Sequence, residues 1–128
     1  SYGTKITLAV PFEDAVSQVR AALADEGFGI LSEIDVQATL RARIGAEIEP
    51  YLILGACNPP LAHQALEVDR SIGLLLPCNV VVRGAGDSTV IEMLDPQVMV
   101  TVTGEADLEP VAGEAGRRLT AAVEAIRN

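Results

Sequence analysis

The sequence predicts an α+β domain: a mostly antiparallel sheet with helices packed on one face. Three observations point there. Apolar residues alternate with period two in some stretches and recur at helical spacing in others. The apolar runs on either side of "GAGD", residues 84–87, are joined too tightly for anything but a hairpin, so that pair is antiparallel. No repeat, low-complexity tract or linker divides the 128 residues, and this length is enough for one core. The expectation is a single domain over residues 1–128.

"TKITLAV" alternates, with Ile6, Leu8 and Val10 on one face and Lys5 and Thr7 on the other, which reads as a half-buried strand. Pro11 opens the helix "FEDAVSQVRAALADEG". Phe12, Ala15, Val16, Val19, Ala22 and Leu23 recur at helical spacing, Glu13 and Asp14 suit the positive end of the dipole, and Gly27 closes it. "FGILSEID" is a second strand, with Phe28, Ile30 and Ile34 on one face. Asp35 caps a short helix, "VQATLRARIG", whose stripe is Val36, Leu40 and Ile44 and whose end is Gly45.

"PYLILGAC" is apolar on both faces, which predicts a central strand. In "NPPLAHQALEV", Asn58 is the N-cap, Pro59 takes the first helical position, and Leu61, Ala65 and Val68 share a face. "SIGLLLPCNVVVR" has apolar residues at every even position from Ile72 to Val82, and reads as one long strand interrupted at Pro77. The hairpin leads into "STVIEML". "DPQVM" is a turn or a single helical turn, and "VTVTG" fits strand and loop equally. The last segment is helical behind Asp107, with Leu108, Val111, Ala112, Ala115, Leu119, Val123 and Ile126 in one stripe. Gly113 and Gly116 weaken it, and their small size would permit close packing on the sheet.

Composition narrows the function. Aromatic residues are 3% of the chain and Trp is absent, so base-stacking platforms are not on offer. A formal net charge of −9 repels phosphate backbones and anionic membrane surfaces, so neither nucleic acid nor membrane is expected as a partner. "IGLLLPCNVVV" is too short to cross a bilayer, and "SYGTKITLAVPFEDA" has no signal-peptide pattern. The expected location is cytoplasmic, where thiols stay reduced and a stable Cys57–Cys78 disulfide is not expected.

The polar interest centres on two phrases, "GACNPPLA" and "LLPCNVVV". They contain both cysteines, each followed by asparagine. Cys57 precedes the N-cap of a helix, where free amides and the dipole can acidify a thiol or hold an anion. Cys78 follows Pro77, where the strand ladder is interrupted. If the strands are neighbours, Cys57, Asn58, Cys78 and Asn79 form a ligand-binding candidate. Cysteine is also among the most buried residue types, so plain packing competes with this reading. His63, the only histidine, would complete a metal set of Cys57, His63 and Cys78, although this spacing matches no standard zinc frame. The competing reading is an exposed His63 paired with Glu67 at i+4. Glu33, Asp35, Glu92 and Asp95 read as a cap, a turn and solvent-facing strand positions rather than an acid–base pair. "GAGDST" lacks the lysine and helix of a phosphate loop, and no triad is evident.

"VPFEDAVSQVRAALADEGFGILSEIDVQATL", "YLILGACNPPLAHQAL" and "IGLLLPCNVVV", followed by "IEMLDPQVM", together resemble the prokaryotic family called domain of unknown function 302. The resemblance covers nearly the whole chain. It implies an α+β fold with a TATA-binding-protein-like arrangement and a homodimer. It implies no settled activity, so no catalytic residue and no cofactor transfer with it, and the fold grouping carries no DNA-binding inference. Three functions follow from the sequence. The first is a homodimer holding a small molecule, an anion among the options, near the two Cys-Asn phrases. The second is a thiol-dependent redox or metal-handling protein using Cys57 and Cys78. The third is an interaction module with no site.

Overall fold

The computed structural model describes residues 2–127. Five strands form one sheet in the order β1-β5-β4-β3-β2, and every neighbouring pair is antiparallel. They are β1 (Gly3–Leu8), β2 (Gly29–Asp35), β3 (Tyr51–Cys57), β4 (Cys78–Ala85) and β5 (Ser88–Leu94). The helices are α1 (Phe12–Asp25), α2 (Val36–Ile44), α3 (Pro59–Val68), α4 (Gln97–Thr103) and α5 (Glu109–Arg127). The α+β class and the antiparallel sheet are as the periodicities predict.

One face of the sheet makes the main core. Ile6, Leu52, Leu54, Ala56, Val80, Val82, Ile91 and Met93 meet Ala15, Val19, Ala22 and Leu23 of α1 and Leu119, Ala122, Val123 and Ile126 of α5. Alternation does the sorting, because neighbouring residues of a strand point to opposite faces. The opposite face carries Tyr51, Ile53, Val81, Arg83, Glu92 and Leu94, all half-buried, with Arg83 Nε donating to Glu92 Oε1 at 3.0 Å. A second core lies beyond the ends of β3 and β4. There Leu61 and Ala65 of α3 and Met99 of α4 pack with Ile72, Leu108, Val111, Ala112 and Ala115. Helix α5 therefore serves both cores, its first half in one and its second half in the other.

Most helix ends are as read from the sequence. Asp35 accepts from the Ala38 amide at 2.9 Å, and Gly45 ends α2 at a φ of 68°. The hairpin turns at Gly86 with a φ of 66°, a left-handed value that suits glycine.

Five expectations need correction. Residues 71–77 are not strand. Asp69 accepts from the Ser71 amide and starts a 3-10 turn over Arg70–Leu75, and the strand begins only at Cys78. Ile72 is buried while Leu74 is 88% exposed, so the even positions never share a face. Gln97–Thr103 is a full helix. Asp95 accepts from the Gln97 amide, the Thr101 and Thr103 hydroxyls donate to the Gln97 and Met99 carbonyls, and Gly104 ends it. Burial of Met99 outweighs the strand preference of "VMVTVT".

In β2 a bulge between Ile30 and Ser32 turns Ile34 away from Ile30, and it pairs with Ile53 on the opposite face. The α2 stripe is not buried: Ile44 is 73% exposed. Gly113 and Gly116 are not packing contacts either. A Cβ at Gly116 would meet nothing within 4 Å, and one at Gly113 only the end of Arg117 at 3.9 Å.

Two glycines thus predict opposite outcomes in urea unfolding. Gly116→Ala gains stability by about 0.5–1 kcal/mol, since it removes backbone entropy from a helix interior at no steric cost. Gly55→Ala loses about 1–3 kcal/mol, because its Cβ would lie 2.2 Å from Ser32 Oγ and 2.7 Å from Pro77 Cγ.

Candidate functional site

The two Cys-Asn phrases meet at the junction of the two cores. Cys57 is the last residue of β3 and Cys78 the first of β4, and the register places Cys78 opposite Ala56. Cys78 is buried, Cys57 is half-exposed, and both are free thiols. Pro77 precedes Cys78 through a cis peptide bond. Both cysteines line a cavity of about 30 Å³, walled by Phe28, Ala56, Leu61, Pro77, Met99 and Ala115 among others. One wall comes from the sheet and another from α3, α4 and α5. The cavity is the seam where the main core gives way to the second.

Asn58 also lines it. Its side chain is committed to structure: Oδ1 accepts from the Leu61 amide at 3.3 Å, as the N-cap reading predicts. The backbone carbonyl of Asn58 accepts from Ala62 at 2.9 Å. Pro59 and Pro60 have no N–H to offer. The first turn of α3 therefore has no spare amide donor, and the sequence argument for an anion at that helix end loses its physical ground. Beside the cap, Arg118 donates to the Glu26 carbonyl at 3.1 Å and to Glu114 Oε2 at 2.9 Å, closing a polar rim over Gly27.

Acidification of the thiols is likewise not what the site does. Burial pushes the Cys57 thiol above its ordinary range. Burial pushes Cys78 up as well, and the nearby Cys57 adds to it. Desolvation is the leading cause at both thiols, and the prolines and satisfied cap leave no donor at α3 to oppose it.

The remaining candidates separate. Asn79 is exposed on the opposite face of the sheet, in register with Gly55, and borders a different hollow with Tyr51 and Val81. It does not join Cys57, Asn58 and Cys78. His63 lies on the outer side of α3, with Nε2 3.4 Å from Glu67 Oε1, so the exposed i+4 pairing is observed and His63 is absent from the cavity wall. Among the described residues, no group of three or more His, Cys, Asp or Glu side chains is placed to hold a metal. Asp35 and Asp95 cap backbone amides, as the cap and turn readings predict, whereas Glu33 pairs with Arg20 and the half-buried Glu92 pairs with Arg83. Sequence reading missed Met99, because its segment was ambiguous, and Phe28, whose place beside Cys57 follows from the β2–β3 register.

A larger hollow, about 590 Å³, runs along α5 beside Thr4, Asp95 and Pro96. Its Arg117 and Arg127 are paired with Glu114 and Glu124 of the same helix. Its Asp95 accepts from the Gln97 amide.

Thiol alkylation checks the electrostatics. Both cysteines should react more slowly at neutral pH than a free thiol, with Cys57 ahead of Cys78, and both rates should climb as pH rises past the usual thiol range. The raised pKa values make the folded chain hold its thiol protons longer than the unfolded chain does. Stability is therefore retained below about pH 8.5 and falls as pH rises above it. Urea midpoints at neutral and alkaline pH measure the slope, which should be shallower in Cys78→Ala.

Among the described residues, no helix is long and apolar enough to cross a membrane. No curated protein matches the sequence. The fold is similar to the crystal structure of an uncharacterized conserved DUF302 protein from Bacillus stearothermophilus. That match has a TM-score of 0.89 and 26% identity, and it covers 97% of each chain. The model of the family described as domain of unknown function DUF302 matches residues 4–126, in agreement with the resemblance of the cysteine phrases, and the chain belongs to that family.

Proposed function

We propose that this domain is a non-enzymatic binding module, a pair of chains each holding a very small guest in the seam cavity. The observation that carries this reading is the cavity itself, which joins Cys57, Asn58 and Cys78 at the ends of two paired strands. Its volume of about 30 Å³ limits the guest. A water molecule needs roughly 10–15 Å³ of such space, whereas organic ligands fill about 300–1,000 Å³. The guest is one or two heavy atoms. With an almost wholly apolar wall and no free amides at α3, it is uncharged or a soft cation rather than an anion.

The chain contains two methionines, one in each core, and this gives a direct test. Xenon under pressure, followed by the ¹³C-methyl signals of labelled methionine, should shift the Met99 signal saturably and leave Met93 in place. Equal, non-saturating drift of both signals would refute a seam site.

The pairing of chains rests on the sheet face opposite the helices. Ile34, Tyr51, Ile53, Val81 and Leu94 give it an apolar strip, flanked by Lys5, Ser32 and Asn79, and the Arg83–Glu92 pair is already internally neutralised. At usual strand spacing and rise the face projects to about 500 Å². Side-chain relief brings the accessible area toward the ~800 Å² per partner of a standard interface. A second copy matches it by symmetry, because a two-fold contact needs a self-complementary patch. Sedimentation equilibrium should give a dimer for the native chain and a monomer for Ile53→Lys. A native chain that stays monomeric across the concentration series rejects the pairing.

A further inference from the structure

We propose that the free edge of β1, together with the hollow along α5, is a docking site for an extended acidic peptide, which adds to β1 as a further strand. The site lies apart from the seam cavity and from the open sheet face.

β1 ends the sheet. The Asp95 amide donates to the Tyr2 carbonyl at 2.8 Å, which fixes the phase of the β1–β5 ladder. Bonded and non-bonded pairs alternate along an antiparallel ladder. Thr4, Ile6 and Leu8 therefore turn their main-chain groups toward Met93, Ile91 and Thr89. Lys5 and Thr7 turn theirs outward, past the edge, and both residues are exposed. Amides and carbonyls set two residues apart on an edge are what an incoming strand pairs with.

The hollow of about 590 Å³ lies beside this edge, on the helix side of the sheet. Thr4, which shares the face of Ile6, lines it together with Leu119, Thr120 and Val123 of α5. Gly116 lines it too, and a Cβ added there would meet nothing within 4 Å. Glycine inside a helix costs stability, and packing within the chain does not call for this one. Glycine also serves where a backbone and a ligand approach closely. A strand added to β1 gives Gly116 that use, because its inward side chains enter the hollow against α5.

Charge selects the peptide. Arg117 and Arg127 line the hollow. Arg117 shares its carboxylate partner, Glu114, with Arg118, so two guanidiniums there face one carboxylate. Arg127 meets Glu124 in an exposed contact of 3.5 Å. Exposed pairs of this kind contribute little, so an incoming carboxylate competes for the arginines. The other acid in the wall, Asp95, accepts from the Gln97 amide. Lys5 adds a cation on the edge itself. An acidic strand thus meets cations on both of its faces, whereas a second copy of β1 would bring another Lys5 to the same edge.

The test uses labelled seven-residue probes, acetyl-Thr-Glu-Thr-X-Thr-Glu-Thr-amide with X as Ala, Val, Leu or Phe, and matched probes with Lys in place of Glu. Fluorescence anisotropy reads binding, and hydrogen exchange by NMR reads the amides of the full chain. At least one acidic probe should bind saturably, more weakly as salt is added, and the lysine probes should not. Bound probe should slow exchange at the Lys5 and Thr7 amides and leave those of the other edge strand, β2, unchanged. Gly116→Leu fills open space, so it should keep or raise stability in urea while weakening binding about tenfold or more. Lys5→Pro removes an outward amide and no ladder bond, and it should abolish binding in a chain whose circular dichroism is unchanged.

Failure of every acidic probe to bind overturns the proposal. So does binding that leaves Lys5 and Thr7 unprotected, or that ignores both variants. Protection of those amides by raised chain concentration alone would assign the edge to a second copy and overturn the peptide. None of these results bears on the xenon shift at Met99 or on the sedimentation of Ile53→Lys.

Discussion

Helix α5 must bury one continuous apolar stripe against two partners that do not lie in one plane, and the architecture follows from that constraint. Leu119, Ala122, Val123 and Ile126 belong to the sheet core, whereas Val111, Ala112 and Ala115 belong to the core made with α3 and α4. At about 1.5 Å per residue, the 19 residues of α5 reach nearly 30 Å, long enough to serve both. A flat sheet face and a helix cluster cannot both fit a straight helix without a step between them. That step is the seam, and the ends of β3 and β4 open into it.

What the seam presents is decided by local chemistry. A helix beginning beside a cysteine would ordinarily offer amides and a positive dipole end. Here two prolines and the Asn58 side chain use up that capacity, so the polar machinery of α3 is turned to holding itself in place. The wall that remains is mostly carbon, Phe28 included, with the two cysteines and Met99, and burial pushes both thiol pKa values up. Such a wall does not suit a thiolate nucleophile working unaided at neutral pH. The opposite sheet face stands apart from this chemistry, separated by the thickness of the sheet.

Much of this was legible in the residues. Alternation in "YLILGAC" and "NVVVR" marks the interior strands, and Asp35, Asn58 and Gly45 mark helix ends through their own hydrogen bonding and backbone freedom. The strands that carry Cys57 and Cys78 are neighbours, as the conditional reading required, and their register sets Cys78 opposite Ala56. The misreadings have physical causes. Even-numbered apolar residues from Ile72 to Leu76 imitate a strand, yet Asp69 turns the chain before any ladder can form. "VMVTVT" has strand-favouring side chains, and only tertiary burial of Met99 makes it helical. Asn79 follows Cys78 as Asn58 follows Cys57, but in a strand the next residue faces the other way, and at a helix start it becomes the cap. Met99 could not be assigned to the site from the sequence, because its placement depends on how α4 docks against α5.

The claim at the centre of this account is that a very small guest enters the seam cavity where the two cores meet. Anomalous scattering from crystals of the chain pressurised with xenon tests it most directly. The account requires one strong peak per chain in the seam, beside Cys78 and Met99. A peak confined to the hollow along α5, or none within the seam, would contradict it.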